Sequence, residues 1–257
     1  GGEIAEGGCV VTDMAGFAAA TYMRGVPLDQ VPTTLLGMID ASVGGKVAVD
    51  LPQGKNLVGA FVEPLFVLLD PDVLETLPEI EVQAGLAEII KAGVIGDPEL
   101  FALLEEPGPR PPLRDLLARA LQVKIDVVEE DPYERGRRAV LNLGHTFAHA
   151  YEVLQGYALH HGLAVSIGMV RAALLAEARG LCTPETRRRI VDALRAHGLP
   201  VDPPQLDVED VYEAMHMDKK KQSGRLRYVL PRAIGDVTIV DDVPAADVID
   251  VLRRETP

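Results

Sequence analysis

The segment Glu81-Val82-Gln83-Ala84-Gly85-Leu86-Ala87-Glu88-Ile89-Ile90-Lys91-Ala92-Gly93 marks where this chain changes character. Its larger apolar residues, Val82, Leu86, Ile89 and Ile90, recur at helical spacing, which predicts a helix over about 82–93. Ahead of it the pattern is different. The first eighty residues alternate glycine-rich turns with short β-branched runs, so 29–36, 47–49 and 65–70 are expected as strands and 14–23 as a helix between them. Behind it the helical period persists through 98–105, 113–129, 139–154, 162–179, 184–197 and 207–217. Glu-Glu-Pro-Gly-Pro-Arg-Pro-Pro at 105–112 must interrupt this run, because proline lacks the donor a helix interior needs; a surface loop is expected there. Near the end, 225–231 and 236–240 flank Gly235 as a two-stranded ribbon, followed by a helix near 244–254. The expected organisation is an α/β domain over 1–80 and a helical domain over 81–257, with no internal repeat or low-complexity tail.

Composition bounds the function. The chain has 257 residues, 47% of them hydrophobic, enough for a sizeable core. A formal net charge of −14 disfavours nucleic acid or an anionic membrane as partner, so any anionic ligand must be held by a local cluster of bases. Cys9 and Cys182 supply neither a disulfide framework nor a cysteine zinc site, which fits a reducing compartment. The apolar stretch 163–178 is interrupted by Arg171 and Glu177 and is shorter than the roughly 20 residues a bilayer requires. With no signal peptide visible, a soluble cytoplasmic protein is expected.

Polar residues then stand out against this background. Leu-Asn-Leu-Gly-His-Thr-Phe-Ala-His-Ala at 141–150 places His145 and His149 four apart, on one helical face, and His161 follows a turn at Gln155-Gly156-Tyr157. Such a pair serves equally as packed or capping histidines and as metal ligands. Glu88, an acid among apolar neighbours, needs a cation or donors if it is buried. Two histidines and a glutamate with an open position would suit a catalytic zinc. The bases Lys46, Lys55, Lys91, Lys124 and Arg138, with the turn Asp218-Lys219-Lys220-Lys221, suggest a small substrate bearing carboxylate and phosphate. Gly7-Gly8-Cys9-Val10-Val11-Thr12-Asp13 has the form of a glycine turn leading into a helix, which offers N–H groups to a phosphate. Only Ile4 and Ala5 are expected to remain of the strand that should precede it, and a plain turn explains the glycines as well.

Arg24-Gly25-Val26, Gln30 to Leu36, Asp40-Ala41-Ser42-Val43-Gly44-Gly45-Lys46, Gly54 to Phe61, Glu75-Thr76-Leu77-Pro78, Gly85 to Lys91, Leu141 to Thr146 and Asp218-Lys219-Lys220 resemble, in that order, the 3-dehydroquinate synthase family of sugar-phosphate cyclases. The resemblance runs from about residue 6 to the C-terminus. It implies a partial Rossmann-like nucleotide-binding α/β domain followed by an all-helical metal-binding domain, with the active site in the cleft between them. It further implies NAD, one zinc or cobalt ion, a phosphorylated keto acid substrate and a homodimer. The implied reaction converts 3-deoxy-arabino-heptulosonate 7-phosphate to 3-dehydroquinate and phosphate, a step of aromatic amino acid biosynthesis. It proceeds by transient oxidation, phosphate elimination, re-reduction and aldol closure.

Carried over residue by residue, the resemblance makes Glu88, His145 and His161 the metal ligands and places Lys91, Asp40 and Asn142 around the reacting hydroxyls. Lys124 and Arg138 would hold the substrate carboxylate, with Glu134 orienting the arginine. Lys46, Asn56, His149, Lys219 and Arg24 would hold the phosphate, Arg24 reaching across a dimer. NAD would lie along residues 8–13, including Gly8, Cys9, Val10 and Asp13, and would also touch Thr33, Thr34, Lys46, Lys55 and Thr76. The chain departs from the family at Cys9, which stands where a third glycine is usual, and at Leu163, where many members carry Glu. It also lacks roughly the first hundred residues of the usual family chain, which carry the opening strands of the nucleotide domain. Two alternatives accompany this reading: a cyclase of the aminodehydroquinate type and a non-catalytic remnant. Lys124 and Arg138 favour a carboxylated substrate over those of deoxyinosose and valiolone synthases.

Overall fold

The computed structural model describes residues 2–51, 54–105, 111–220 and 226–256, and the side chains of 218–220 are outside the described set. The strands are β1 (Glu3–Gly7), β2 (Leu28–Pro32), β3 (Lys46–Leu51), β4 (Gly54–Phe61), β5 (Phe66–Val67), β6 (Tyr228–Ala233) and β7 (Asp236–Val240). The α-helices are α1 (Cys9–Thr21), α2 (Glu79–Gly96), α3 (Pro98–Glu105), α4 (Leu113–Glu130), α5 (His145–Leu154), α6 (His161–Ala178), α7 (Pro184–Ala196), α8 (Val208–Lys220) and α9 (Ala245–Arg253). They form two compact units, Gly1–Leu86 with Pro112–Arg138, and Ala87–Pro111 with Ala139–Pro257. The division falls inside α2, and α4 packs with the first unit, which a break at residue 80 does not anticipate.

In the first unit β1, β2 and β5 make a parallel sheet in the order β1-β2-β5, with Glu3 opposite Leu28 and Gly7 opposite Pro32. Parallel strands need a crossover, and α1 supplies it. Ala5 from β1, Ala19 from α1 and Leu28 from β2 meet in a small core. The strand ahead of the glycine turn spans Glu3–Gly7, more than Ile4 and Ala5, because its backbone pairs with β2 whatever its side chains, and α1 starts at Cys9 rather than at Met14. The expected strand over 29–36 stops at Pro32. Thr34 then starts a helical turn by accepting the Gly37 N–H at 3.1 Å, and Leu35 goes to the core. That turn runs into a π-helical segment, Gly37–Ala41, in which Ser42 N–H donates to Gly37 C=O at 3.1 Å. Of the apolar run 65–70 only Phe66–Val67 pairs as a strand. The hairpin β3–β4 adds a strand that the glycine and charge content of 54–61 did not announce.

The second unit is helical apart from the β6–β7 ribbon, which begins at Tyr228; Arg225 lies outside the described residues. Residues 106–110 of the expected proline loop also lie outside them. Helix α6 forms the centre and packs against α5, α7, α9 and β6. Among the described residues it is the one helix long and apolar enough to cross a membrane, and 83% of that stretch is buried inside the protein. Arg171 within it is fully buried and donates to Val251 C=O, Arg254 C=O and Thr256 Oγ1 at 2.9, 2.6 and 2.8 Å, tying down the C-terminal turn of α9. The expected helix over 139–154 divides into a 3-10 segment, Arg137–Asn142, and α5, because Gly144 adopts φ 81° between them.

Candidate metal centre and active site

One cluster lies wholly within the second unit. Glu88 and Lys91 project from α2 and are 3% and 5% exposed. Burial of both charges is tolerable because Lys91 Nζ pairs with Glu88 Oε2. Glu88 Oε1 has no hydrogen-bond partner, an exception among buried polar atoms that a cation would remove. His145 opens α5, directly after Gly144. A side chain at Gly168 of α6 would come within 2.1 Å of Gly144 C=O, so these two glycines allow α6 to cross the start of α5 at backbone contact. His161 opens α6, returned toward α5 by a turn in which Gly156 and Tyr157 take φ of 57° and 62°.

One donor atom from each of Glu88, His145 and His161 lies within 4.8 Å of the others, a set that could hold a metal ion. His161 Nε2 stands 3.9 Å from Glu88 Oε1. In both rings the far nitrogen is engaged: His145 Nδ1 is 3.2 Å from Leu143 C=O, and His161 Nδ1 is 3.2 Å from Glu152 Oε1. These acceptors assign the proton to Nδ1 and leave Nε2 as the ligand atom. Burial holds the His145 imidazole well below its usual pKa, helped by Lys91, His161 and His149, so it is the neutral form a metal needs. Three protein donors, two of them imidazole nitrogens and one an unsatisfied carboxylate oxygen, fit a divalent ion with open positions. His149 is exposed, its ring centroid 5.5 Å from His145 and 6.3 Å from His161, and it lies outside the three-donor set. Asn142 ends the 3-10 segment three residues before His145, and Lys219 lies in the last turn of α8, its side chain outside the described residues.

Glu152 belongs to no motif in the sequence. It is 4% exposed, and its one signal is position, since 145, 149 and 152 share a face of α5.

A second cluster lies within the first unit. Asp40 sits in the π-helical segment, where Lys124 of α4 pairs with its carboxylate and its backbone carbonyl. Arg138 is 3% exposed, and its guanidinium donates to Pro132 C=O and, at 2.7 Å, to Gly44 C=O. The loop leading to it is organised by Asp131, whose carboxylate accepts from the N–H groups of Arg135, Gly136 and Arg138 at 2.9, 2.7 and 3.0 Å. Those bonds hold its pKa below the usual carboxylate value. Glu134, at φ 53° in this loop, pairs with Lys46. Asp13 on α1 is pushed up to about 6 by burial and then by the carboxylates of Asp40 and Asp50.

The remaining sequence candidates are spread over the same unit. Gly8 caps α1 with no side-chain hydrogen bond, and a Cβ on Gly7 would fall 2.7 Å from the Val11 side chain. Cys9 follows, its thiol raised to about 12 by burial and by Asp40 and Asp13, hence unreactive at neutral pH. Val10 is exposed, Thr33 donates its N–H to Gly7 C=O at 2.9 Å, and a Cβ on Gly8 would lie 3.1 Å from the Thr34 methyl. Lys55 and Asn56 are exposed on β4, Asn56 at φ 54° with its N–H on Asp50 Oδ1 at 2.9 Å. Thr76 is exposed at the end of the 3-10 turn Pro71–Thr76, and Arg24 is exposed at φ 70° at the end of the 3-10 turn Tyr22–Arg24.

The fold, a parallel sheet with a glycine turn into its first helix followed by a helical unit carrying a glutamate and two histidines, is similar to that of solved sugar-phosphate cyclases. A 2-epi-5-epi-valiolone synthase from Streptomyces hygroscopicus, solved with NAD+ and Zn2+ bound, matches 97% of this chain and 71% of its own at TM-score 0.88 and 35% identity. A 2-deoxy-scyllo-inosose synthase complexed with carbaglucose-6-phosphate, NAD+ and Co2+ matches 97% of this chain and 73% of its own at TM-score 0.85 and 27% identity. Residues 3–84 match the 3-dehydroquinate synthase N-terminal model and 85–221 the C-terminal model. The 3-dehydroquinate synthase of Nostoc punctiforme is 48% identical over 261 residues, covering 98% of this chain and 71% of its own length. The chain belongs to the 3-dehydroquinate synthase family.

Proposed function

We propose that this chain is a 3-dehydroquinate synthase, a phosphate-eliminating lyase that converts 3-deoxy-arabino-heptulosonate 7-phosphate to 3-dehydroquinate and phosphate. The observation that carries the reading is the three-donor set of Glu88, His145 and His161 with Lys91 paired to the same glutamate. Bound NAD would take up and return hydride, and a bound zinc or cobalt ion would polarise a substrate oxygen. Glu88, His145 and His161 would hold the ion. The glycine turn and first turn of α1, including Gly8, Cys9, Val10 and Asp13, would hold the dinucleotide together with Thr33, Thr34, Lys46, Lys55 and Thr76.

This chain's own residues would do the rest. Lys91, Asp40 and Asn142 surround the reacting hydroxyls and hold or move their protons. Lys124 and Arg138 bind the substrate carboxylate through charge-assisted hydrogen bonds. Glu134 orients that arginine. Lys46, Asn56, His149, Lys219 and Arg24 bind the phosphate, and the exposure of His149 beside the donor set supports this. The nucleotide-binding domain would be residues 1–80, which would also lend Arg24, Asp40, Lys46 and Asn56 to the substrate, and the metal- and substrate-binding domain would be 81–257. The protein would act in the cytoplasm as a homodimer, on a small phosphorylated keto acid.

Phosphate release from the heptulosonate phosphate, measured with NAD and zinc or cobalt, tests the reading on this chain and on a version extended by any upstream coding sequence. Release in either is expected, and silence in both would overturn it. His161→Ala is expected to abolish stoichiometric metal, whereas His149→Ala keeps metal and slows turnover about 10²-fold or more. Equal metal loss in the two variants would refute this division of roles.

A further inference from the structure

We propose that Glu152 is a positioning residue for the metal centre, holding His161 in the tautomer and orientation that present Nε2 to the ion. The proposal rests on the reading of Glu88, His145 and His161 as ligands. Glu152 lies on α5, seven residues after His145, and its carboxylate is buried. A buried carboxylate needs a partner of compensating polarity, and Glu152 Oε1 meets His161 Nδ1 at 3.2 Å. The opposite nitrogen of that ring is the one facing Glu88 Oε1. The His161 side chain is 29% exposed, so packing alone does not fix its ring. The acceptor for His145 is a neutral carbonyl, whereas the acceptor for His161 is a carboxylate, which fixes the ring and raises the basicity of its ligand nitrogen. Helix α5 thereby supplies one ligand directly and steers a second from another helix.

Zinc affinity by competition with a chromogenic chelator, and the visible spectrum of the cobalt form, test this on the whole chain and its E152Q and E152A variants. Both variants are expected to lose affinity, roughly 10- to 100-fold and more in E152A, with an altered cobalt band. E152Q, which conserves shape, is expected to keep the melting temperature of the metal-free parent. Zinc affinity within twofold of the parent and an unchanged cobalt spectrum in both variants would overturn the proposal. Lower metal-free stability with unchanged affinity would overturn it too, leaving Glu152 a packing residue. A parent chain that binds no zinc would instead overturn the metal reading itself, and this proposal with it.

Discussion

Single side chains in this protein are set by what burial does to their charges. Glu88 illustrates the rule: one oxygen is neutralised by Lys91 and the other is left for a cation, so the residue is stable beside a metal and frustrated without one. Asp13 shows the same physics with the opposite sign. Its folded pKa of about 6 lies above the ordinary carboxylate value of 3.8, so the native state binds the proton more tightly than the unfolded chain. Stability from this group is present below pH 3.8 and is lost as pH rises toward 6. Asp13→Asn is therefore expected to raise stability at pH 7 by on the order of 1 kcal/mol, allowing for solvent screening, and to change little near pH 3.5. Denaturant titrations of both proteins across this range check it. A gain independent of pH would mean that the carboxyl is not strained.

At the scale of elements, the donor set depends on one close crossing. His145 and His161 each open a helix, so their separation follows from how α5 and α6 meet, and that meeting is made at Gly144 and Gly168. Gly168→Ala places a methyl against Gly144 C=O in a helix interior that is otherwise fully packed, so the helices must separate. A loss of about 1–3 kcal/mol is expected, together with weaker zinc binding, because two ligands ride on the displaced ends. Wild-type zinc affinity in a destabilised G168A protein would show that the crossing supports the fold and not the site. The π-helical segment plays the matching part in the first unit. Its extra residue per turn sets Asp40 where Lys124 reaches both its carboxylate and its carbonyl.

For the molecule as a whole, the ligands come from α2 and, distant from it in sequence, the consecutive helices α5 and α6, so an ion bound by the native state alone stabilises the second unit by mass action. Zinc at a hundredfold excess over its Kd should add about 2.7 kcal/mol and raise the melting temperature by several degrees, reversibly on chelation. Identical melting with and without zinc would exclude a site held by the fold. Much of the architecture was legible in the residues: helical spacing located α3, α4 and α7 within a residue or two, since each carries an apolar stripe, and a long apolar run located α6 as closely. The start of α1, the end of β2 and strand β4 were not legible. Each is decided by a backbone bond to a distant or capping partner, such as β1 to β2 or Gly37 N–H to Thr34, and not by a periodicity of its own.

The order of residues set the chemistry available: which side chains can ligate, donate or carry charge, and where along the chain they stand. It also placed His145 and His149 on one helical face, where either could serve a metal. Only the tertiary structure separated them, by folding His161 and Glu88 against His145 and leaving His149 at the rim. The physical reason is that a metal site is a matter of donor atoms converging within a few ångströms, and helical periodicity fixes direction about one axis only. Glu152, invisible as a motif, acquired its place in the same way, through a contact that exists only once α5 and α6 are packed.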